Sequence, residues 1–222
     1  MVALIPTLMA VSAGVSALVG IIVLECFFRD KLKDLFDDSN YFVFFFLVLG
    51  YVLYSLGELS YFLGNAVFAE RSAAGIENFY WAVGGVVVLI SFFGLALLQA
   101  KKNQQGHKVL ILLIIGVVLA FISYSIVQNS GSDFFDYFFP VISSLIVAFS
   151  LSSFLFSRSL MSVARPLQFF FLASSLILIG DILFSFPAFD ALSDFFYLFG
   201  YGLSTVAFIT LKSKIHSLSS RG

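Results

Sequence analysis

Charged residues are scarce in this chain: Asp, Glu, Lys and Arg make up 11% of its 222 residues, against roughly 25% in ordinary soluble domains. Too few charges remain to cover a water-facing surface, which excludes a soluble globular domain. Cysteine is rarer still. Cys26 is the only one, so no intrachain disulfide is expected, and with His107 and His216 as the only histidines no Cys/His metal cage can be assembled. Neither sign of charge is in surplus. Twelve basic and 13 acidic residues leave a formal charge of -1, and nothing in that balance points to nucleic acid. The glycines are scattered at helix-packing spacings, and no Gly-rich phosphate loop is present.

What the chain has instead is hydrocarbon. Apolar side chains account for 60% of it, 30 of its residues are phenylalanine, and the mean hydropathy is +1.04. A spanning helix needs about 20 mostly apolar residues. Runs bounded by charge or turn residues predict seven of them, over approximately 2-28, 41-63, 79-100, 109-127, 137-157, 168-188 and 195-212. The expected fold is therefore all-α and polytopic, with 1-222 as a single integral membrane domain. The first run has no basic segment before it, so it reads as a retained helix rather than a cleaved signal peptide.

Basic residues near span ends are retained on the cytoplasmic side. Arg29, Lys31 and Lys33, then Lys101, Lys102 and Lys108, then Arg158 and Arg165, then Lys212, Lys214 and Arg221 all fall on one side of a seven-span arrangement, and only Arg71 falls on the other. This predicts an outside N-terminus and a cytoplasmic C-terminus. The outer loops are acidic, with Glu70, Glu77, Asp133, Asp136, Asp190 and Asp194.

An internal repeat runs through the spans. The segment Leu56-Gly57-Glu58-Leu59 is matched by Ile179-Gly180-Asp181-Ile182, and each is followed by a span led by aromatic residues, Phe79-Tyr80-Trp81 and Phe195-Phe196-Tyr197. The fourth and fifth spans align with the sixth and seventh without a gap, which sets Ser123 opposite Asp181. The chain thus reads as one leading helix followed by three parallel helical hairpins, and such repeats place functional residues at their shared interface.

Three acids fall within spans. Glu25 precedes Arg29 by one helical turn at the cytoplasmic interface, where an i,i+4 pair accounts for it. Glu58 and Asp181 lie well inside, where a charge costs at least ~2.5 kcal/mol, so something must compensate them. Glu58 shares a helix face with Tyr51, Tyr54, Ser55, Tyr61 and Asn65. Tyr197, Tyr201, Ser204 and Thr205 form a second polar stripe, and Ser143, Ser150, Ser153 and Ser157 a third. Together they predict an outward-facing polar cavity whose candidate ligand- or ion-binding residues are Glu58, Asp181, Tyr54, Tyr61, Ser123, Tyr197 and Tyr201. The alternative is that each acid is protonated and acts only as interhelical glue. No cofactor or metal is expected: a retinal Schiff base needs a lysine in the middle of the last helix, and Lys212 and Lys214 lie at its end. Serines are abundant, but none shares its depth with a histidine or lysine, so no serine-hydrolase arrangement is expected.

Gly180-Asp181-Ile182-Leu183-Phe184, followed by Asp194-Phe195-Phe196-Tyr197-Leu198-Phe199-Gly200-Tyr201, resembles the multi-span sensor modules that precede kinase or cyclase domains in prokaryotic signalling proteins. The resemblance implies a non-enzymatic sensor or membrane subunit in the cytoplasmic membrane of a prokaryotic cell. Because the tail after 212 is short, its effector would be a separate membrane or cytoplasmic protein, and its remaining partners membrane lipids. The Gly-Asp step, with Glu58 as a second intramembrane acid, is also similar to the lysoplasmalogenase family, which would imply a lipid hydrolase, although that family's histidine-bearing span has no counterpart here. A small transporter or cation/proton carrier is the further alternative, because paired carboxylates at a repeat interface suit coupling ions.

Overall fold

Lipid offers no hydrogen-bond partner to the backbone, so a chain this apolar must satisfy its own N–H and C=O groups within helices. The computed structural model describes residues 4–28, 39–66, 75–103, 106–130, 133–156 and 161–219. Among them it has seven α-helices and no strand: α1 Leu4–Phe28, α2 Ser39–Ala66, α3 Ile76–Asn103, α4 Gly106–Val127, α5 Phe134–Phe156, α6 Met161–Phe184 and α7 Asp190–Ser219. All seven are long and apolar enough to cross a membrane, and they fit an integral membrane protein. Arg29, Lys31, Lys33, Glu70, Arg71, Ser157, Arg158 and Arg221 lie outside the described residues, as do the side chains of Asn65, Lys102, Ser153, Lys212, Lys214 and His216.

Local chemistry explains the helix ends. At the start of α5, Asp133 accepts the Phe134 N–H at 2.7 Å, and Asp136 reaches back to accept the Asp133 N–H at 3.0 Å. Two N–H groups at the helix start, which have no partner within the helix, are thus met by side-chain oxygens. The sixth helix ends at Phe184, short of the expected 188. Pro187 has no N–H and holds Phe186 in extended backbone, so a single 3-10 turn, Pro187–Phe189, separates α6 from α7. Pro140 lies inside α5, where its missing N–H leaves the Asp136 carbonyl without its helical donor. The Ser185 hydroxyl donates to that carbonyl at 3.1 Å and so ties α5 to the end of α6.

Six helices form a ring. α1 packs on α2 and α7, α3 on α2 and α5, and α6 on α5 and α7. α4 stands outside this ring, packed chiefly on α5. Its buried positions, Val109, Leu112, Gly116, Ala120, Ser123 and Val127, form one narrow stripe, while Leu110, Ile111, Ile114, Val117, Val118 and Phe121 are exposed. Such an apolar exterior suits contact with lipid. Inside the ring, Tyr51, Phe92, Phe170 and Phe208 from four helices pack edge-on or tilted, with centroids 5.0 to 6.3 Å apart. These rings fill one half of the interior.

The contacts of α2 with α3 recur between α6 and α7. Gly57 lies beneath the Trp81 ring and Gly180 beneath that of Tyr197. A Cβ on Gly84 would stand 3.2 Å from the Gly50 carbonyl oxygen, and one on Gly200 would stand 3.3 Å from that of Ala173. The same displacements along the chain relate both pairs of residues, and in each case glycine allows the two backbones to approach closely.

Candidate functional site

In the half of the ring not filled by phenylalanine, the helix faces picked out by spacing converge on a cavity of about 50 Å³. Tyr54, Glu58 and Tyr61 reach it from α2, Trp81 and Gly85 from α3, and Phe139, Ile142 and Ser143 from α5. α6 adds Ile177, Asp181 and Phe184; α7 adds Asp194, Tyr197 and Tyr201; Met9 closes it from α1. All these positions lie toward the end of the bundle that holds the start of α1 and the connections α2–α3, α4–α5 and α6–α7. At roughly 10–15 Å³ per water, the volume suits a few waters or a headgroup of similar size.

The two acids differ in how they are held. Both are buried. Asp181 accepts the Tyr197 hydroxyl on Oδ1 at 2.8 Å and the Ser143 hydroxyl on Oδ2, so both its oxygens are engaged. Glu58 accepts the Tyr201 hydroxyl on Oε1 at 2.8 Å, while its buried Oε2 has no partner. The indole Nε1 of Trp81 is likewise buried without a partner. Both atoms are fully covered, and the Trp81 indole lies over Gly57 beside Glu58, where each group offsets part of the other's burial.

Of the seven residues expected at the site, six line this cavity: Glu58, Asp181, Tyr54, Tyr61, Tyr197 and Tyr201. Ser123 does not. It is buried between α4 and α5, 2.9 Å from the Ser144 hydroxyl, which in turn donates to the Pro140 carbonyl at 2.7 Å. With α4 outside the ring, a residue on its packed face meets α5 and never the interior. Tyr51 and Ser204, from the expected polar stripes, bond each other at 2.6 Å, and Ser16 of α1 donates to the Tyr201 carbonyl at 2.6 Å and lies 2.7 Å from the Thr205 hydroxyl. Ser150 bonds within its own helix, to the Val147 carbonyl. Glu25 is exposed, and Arg29 lies outside the described residues.

Asp194, Trp81 and Phe139 line the cavity but are absent from the expected set. Spacing along the chain carries a signal for two of them: Trp81, Phe139 and Tyr197 fall at equal intervals on α3, α5 and α7, as do Gly85, Ser143 and Tyr201. Among the described residues, no three His, Cys, Asp or Glu side chains gather closely enough to hold a metal ion.

No family model matches this chain, and neither a curated protein nor a solved structure matches it.

Proposed function

We propose that this is a non-enzymatic, ligand-binding membrane module, a sensor or receptor-like unit or the membrane subunit of a larger complex. The observation that carries this reading is the cavity lined by two intramembrane acids, Glu58 and Asp181, and by Tyr54, Tyr61, Tyr197 and Tyr201, backed by packed aromatic rings at the other end of the bundle. An acid inside a span is costly to bury, and such residues commonly mark ligand or ion sites. Fully engaged Asp181 acts as a strut that sets α5, α6 and α7 around the site. Hydrolysis of the lysoplasmalogenase type would require both acids to share a water. The engagement of both Asp181 oxygens favours binding over that chemistry.

In this reading the cavity faces the outside, the N-terminus lies outside and the C-terminus is cytoplasmic, in keeping with the distribution of basic residues. The module is one leading helix plus three parallel hairpins, and the second helix of each hairpin lines the cavity together with α2 and α6. The matching lining positions on α3, α5 and α7 support that organisation.

A small carrier is the second reading, favoured by the recurrence of the α2–α3 contacts between α6 and α7, since repeats that can rock against each other suit alternating access. Tyr61→Cys in a Cys26→Ala background separates the two. An impermeant thiol reagent is expected to label it in intact cells and not in inverted vesicles. Labelling from both sides would overturn the receptor reading in favour of the carrier, and labelling from neither would leave a closed structural bundle.

A further inference from the structure

α3 and α4 follow each other through a short connection yet meet little, because α4 packs chiefly on α5 outside the ring. The gap between them is an open groove of about 660 Å³ at the connection end of the hairpin. Ala100 and Val109 are buried at its base, and Phe93, Leu97, Leu110 and Leu113 are exposed along it. The Phe93 ring is held edge-on to Phe149 of α5, with centroids 5.0 Å apart. Exposed Lys101 ends the groove. From Phe93 to Lys101 is eight residues, about 12 Å along a helix and close to the roughly 15 Å of hydrocarbon in one leaflet. The groove is apolar over that depth and cationic at its surface.

Charge at this end of the bundle is uneven. No Asp or Glu occurs between Glu77 and Asp133 or between Asp136 and Asp181, so the α3–α4 and α5–α6 connections carry Lys101, Lys102, Lys108, Arg158 and Arg165 with no acid among them. The α1–α2 connection instead mixes Arg29, Lys31 and Lys33 with Asp30, Asp34, Asp37 and Asp38. Retention on one side of the membrane accounts for the basic residues of all three connections. It does not account for the absence of acids beside the groove. A basic field without opposing acids attracts anionic lipid, and basic pockets between spanning helices hold anionic headgroups.

We propose that the groove between α3 and α4 holds an anionic phospholipid, with one acyl chain along Phe93, Leu97, Leu110 and Leu113 and its phosphate facing Lys101. An added Cβ on Gly106, the first residue of α4, meets nothing within 4 Å, which leaves room for the headgroup. The lipid fills the space that α4 leaves by packing on α5, and so braces α4 against α3. In the proposed orientation it belongs to the cytoplasmic leaflet. The site lies at the opposite end of the bundle from the cavity and is independent of what that cavity binds.

The test uses the full chain in phosphatidylcholine nanodiscs, titrated with phosphatidylglycerol that carries a diazirine on one acyl chain, and maps the photoadducts by peptide mass spectrometry. Adducts are expected on the groove residues, displaced by unlabelled phosphatidylglycerol and not by added phosphatidylcholine. Lys101→Gln is expected to raise the phosphatidylglycerol fraction needed for half-maximal labelling about fivefold, while Lys33→Gln, which removes the same charge from the α1–α2 connection, leaves it unchanged. Leu97→Trp, which fills the groove from an exposed position, should abolish the adducts. If the variants do not fold, displacement on the wild-type chain decides alone.

Equal groove labelling by a phosphatidylcholine probe would overturn the proposal, since the occupant would then be ordinary boundary lipid. So would equally strong adducts on the exposed Leu18, Ile21 and Ile22 of α1, which lie beside the connection of mixed charge. Equal effects of Lys101→Gln and Lys33→Gln would overturn the phosphate contact. Native mass spectrometry is expected to show a monomer that retains phosphatidylglycerol. A lipid-free dimer that Leu97→Trp dissociates would assign the groove to a second copy of the chain and overturn the lipid.

Discussion

Tyr201 and Glu58 stand 143 positions apart in the chain, and the Tyr201 hydroxyl donates to Glu58 Oε1 at 2.8 Å. This bond fastens α7 to α2 across the interior of the ring and fixes one carboxyl oxygen, while the other is buried beside the Trp81 indole. Tyr201→Phe removes the hydroxyl that serves buried Glu58 and is expected to destabilise the fold by about 1–3 kcal/mol. Combining it with Glu58→Met, which removes the acceptor as well, should recover much of that loss. Thermal unfolding in detergent checks the order: a double variant less stable than Tyr201→Phe alone would contradict the account.

The two glycines beneath aromatic rings predict a paired effect. Gly57→Ala and Gly180→Ala each drive a methyl group into a ring, that of Trp81 or of Tyr197, and are expected to cost about 1–3 kcal/mol by overpacking. Gly57→Ala should also shift the Trp81 emission, since it displaces that ring. Gly202→Ala, with nothing within 4 Å of its added Cβ, should leave both stability and emission near wild type.

The Ser185 to Asp136 bond predicts a coupling. Ser185→Ala removes the donor that serves the carbonyl orphaned by Pro140 and should cost about 0.6 kcal/mol, the average for such bonds inside membrane proteins. Pro140→Ala restores an N–H to the helix, so in that background Ser185→Ala should cost less. A double-mutant cycle measures the difference; strict additivity would show that the hydroxyl does not serve that carbonyl.

The proposed orientation is checked by cysteines at Gln105 and Gly131, each placed in a Cys26→Ala background. In intact cells an impermeant reagent is expected to modify Gly131→Cys and to spare Gln105→Cys until the membrane is opened. The reverse pattern would invert the topology and place the cavity on the cytoplasmic side.

Much of the site was legible along the chain. Tyr54, Glu58 and Tyr61 recur at three- and four-residue steps and so share one face of α2, while Tyr197 and Tyr201 do the same on α7. The cost of an acid in an apolar run turned both faces inward without reference to any other helix. Ser123 illustrates the limit. Its alignment with Asp181 is a matter of spacing along the chain, but whether a helix joins a ring or stands outside it depends on how all seven pack. Asp194 was read as a loop acid because its place next to the cavity comes from the turn that Pro187 forces between α6 and α7.

The sequence by itself determined that the chain forms seven apolar helices, where most of them begin and end, and which faces carry polar groups. These are local properties: the length of an apolar run, the spacing of side chains around a helix, a proline without an N–H. The tertiary structure alone decided that α4 lies outside the ring, that Asp181 is fully engaged by Ser143 and Tyr197, and that Glu58 keeps one oxygen without a partner. Two acids that each follow a glycine in an apolar run look alike along the chain. They become different only when helices distant in sequence supply two hydroxyl donors to one and a single donor to the other.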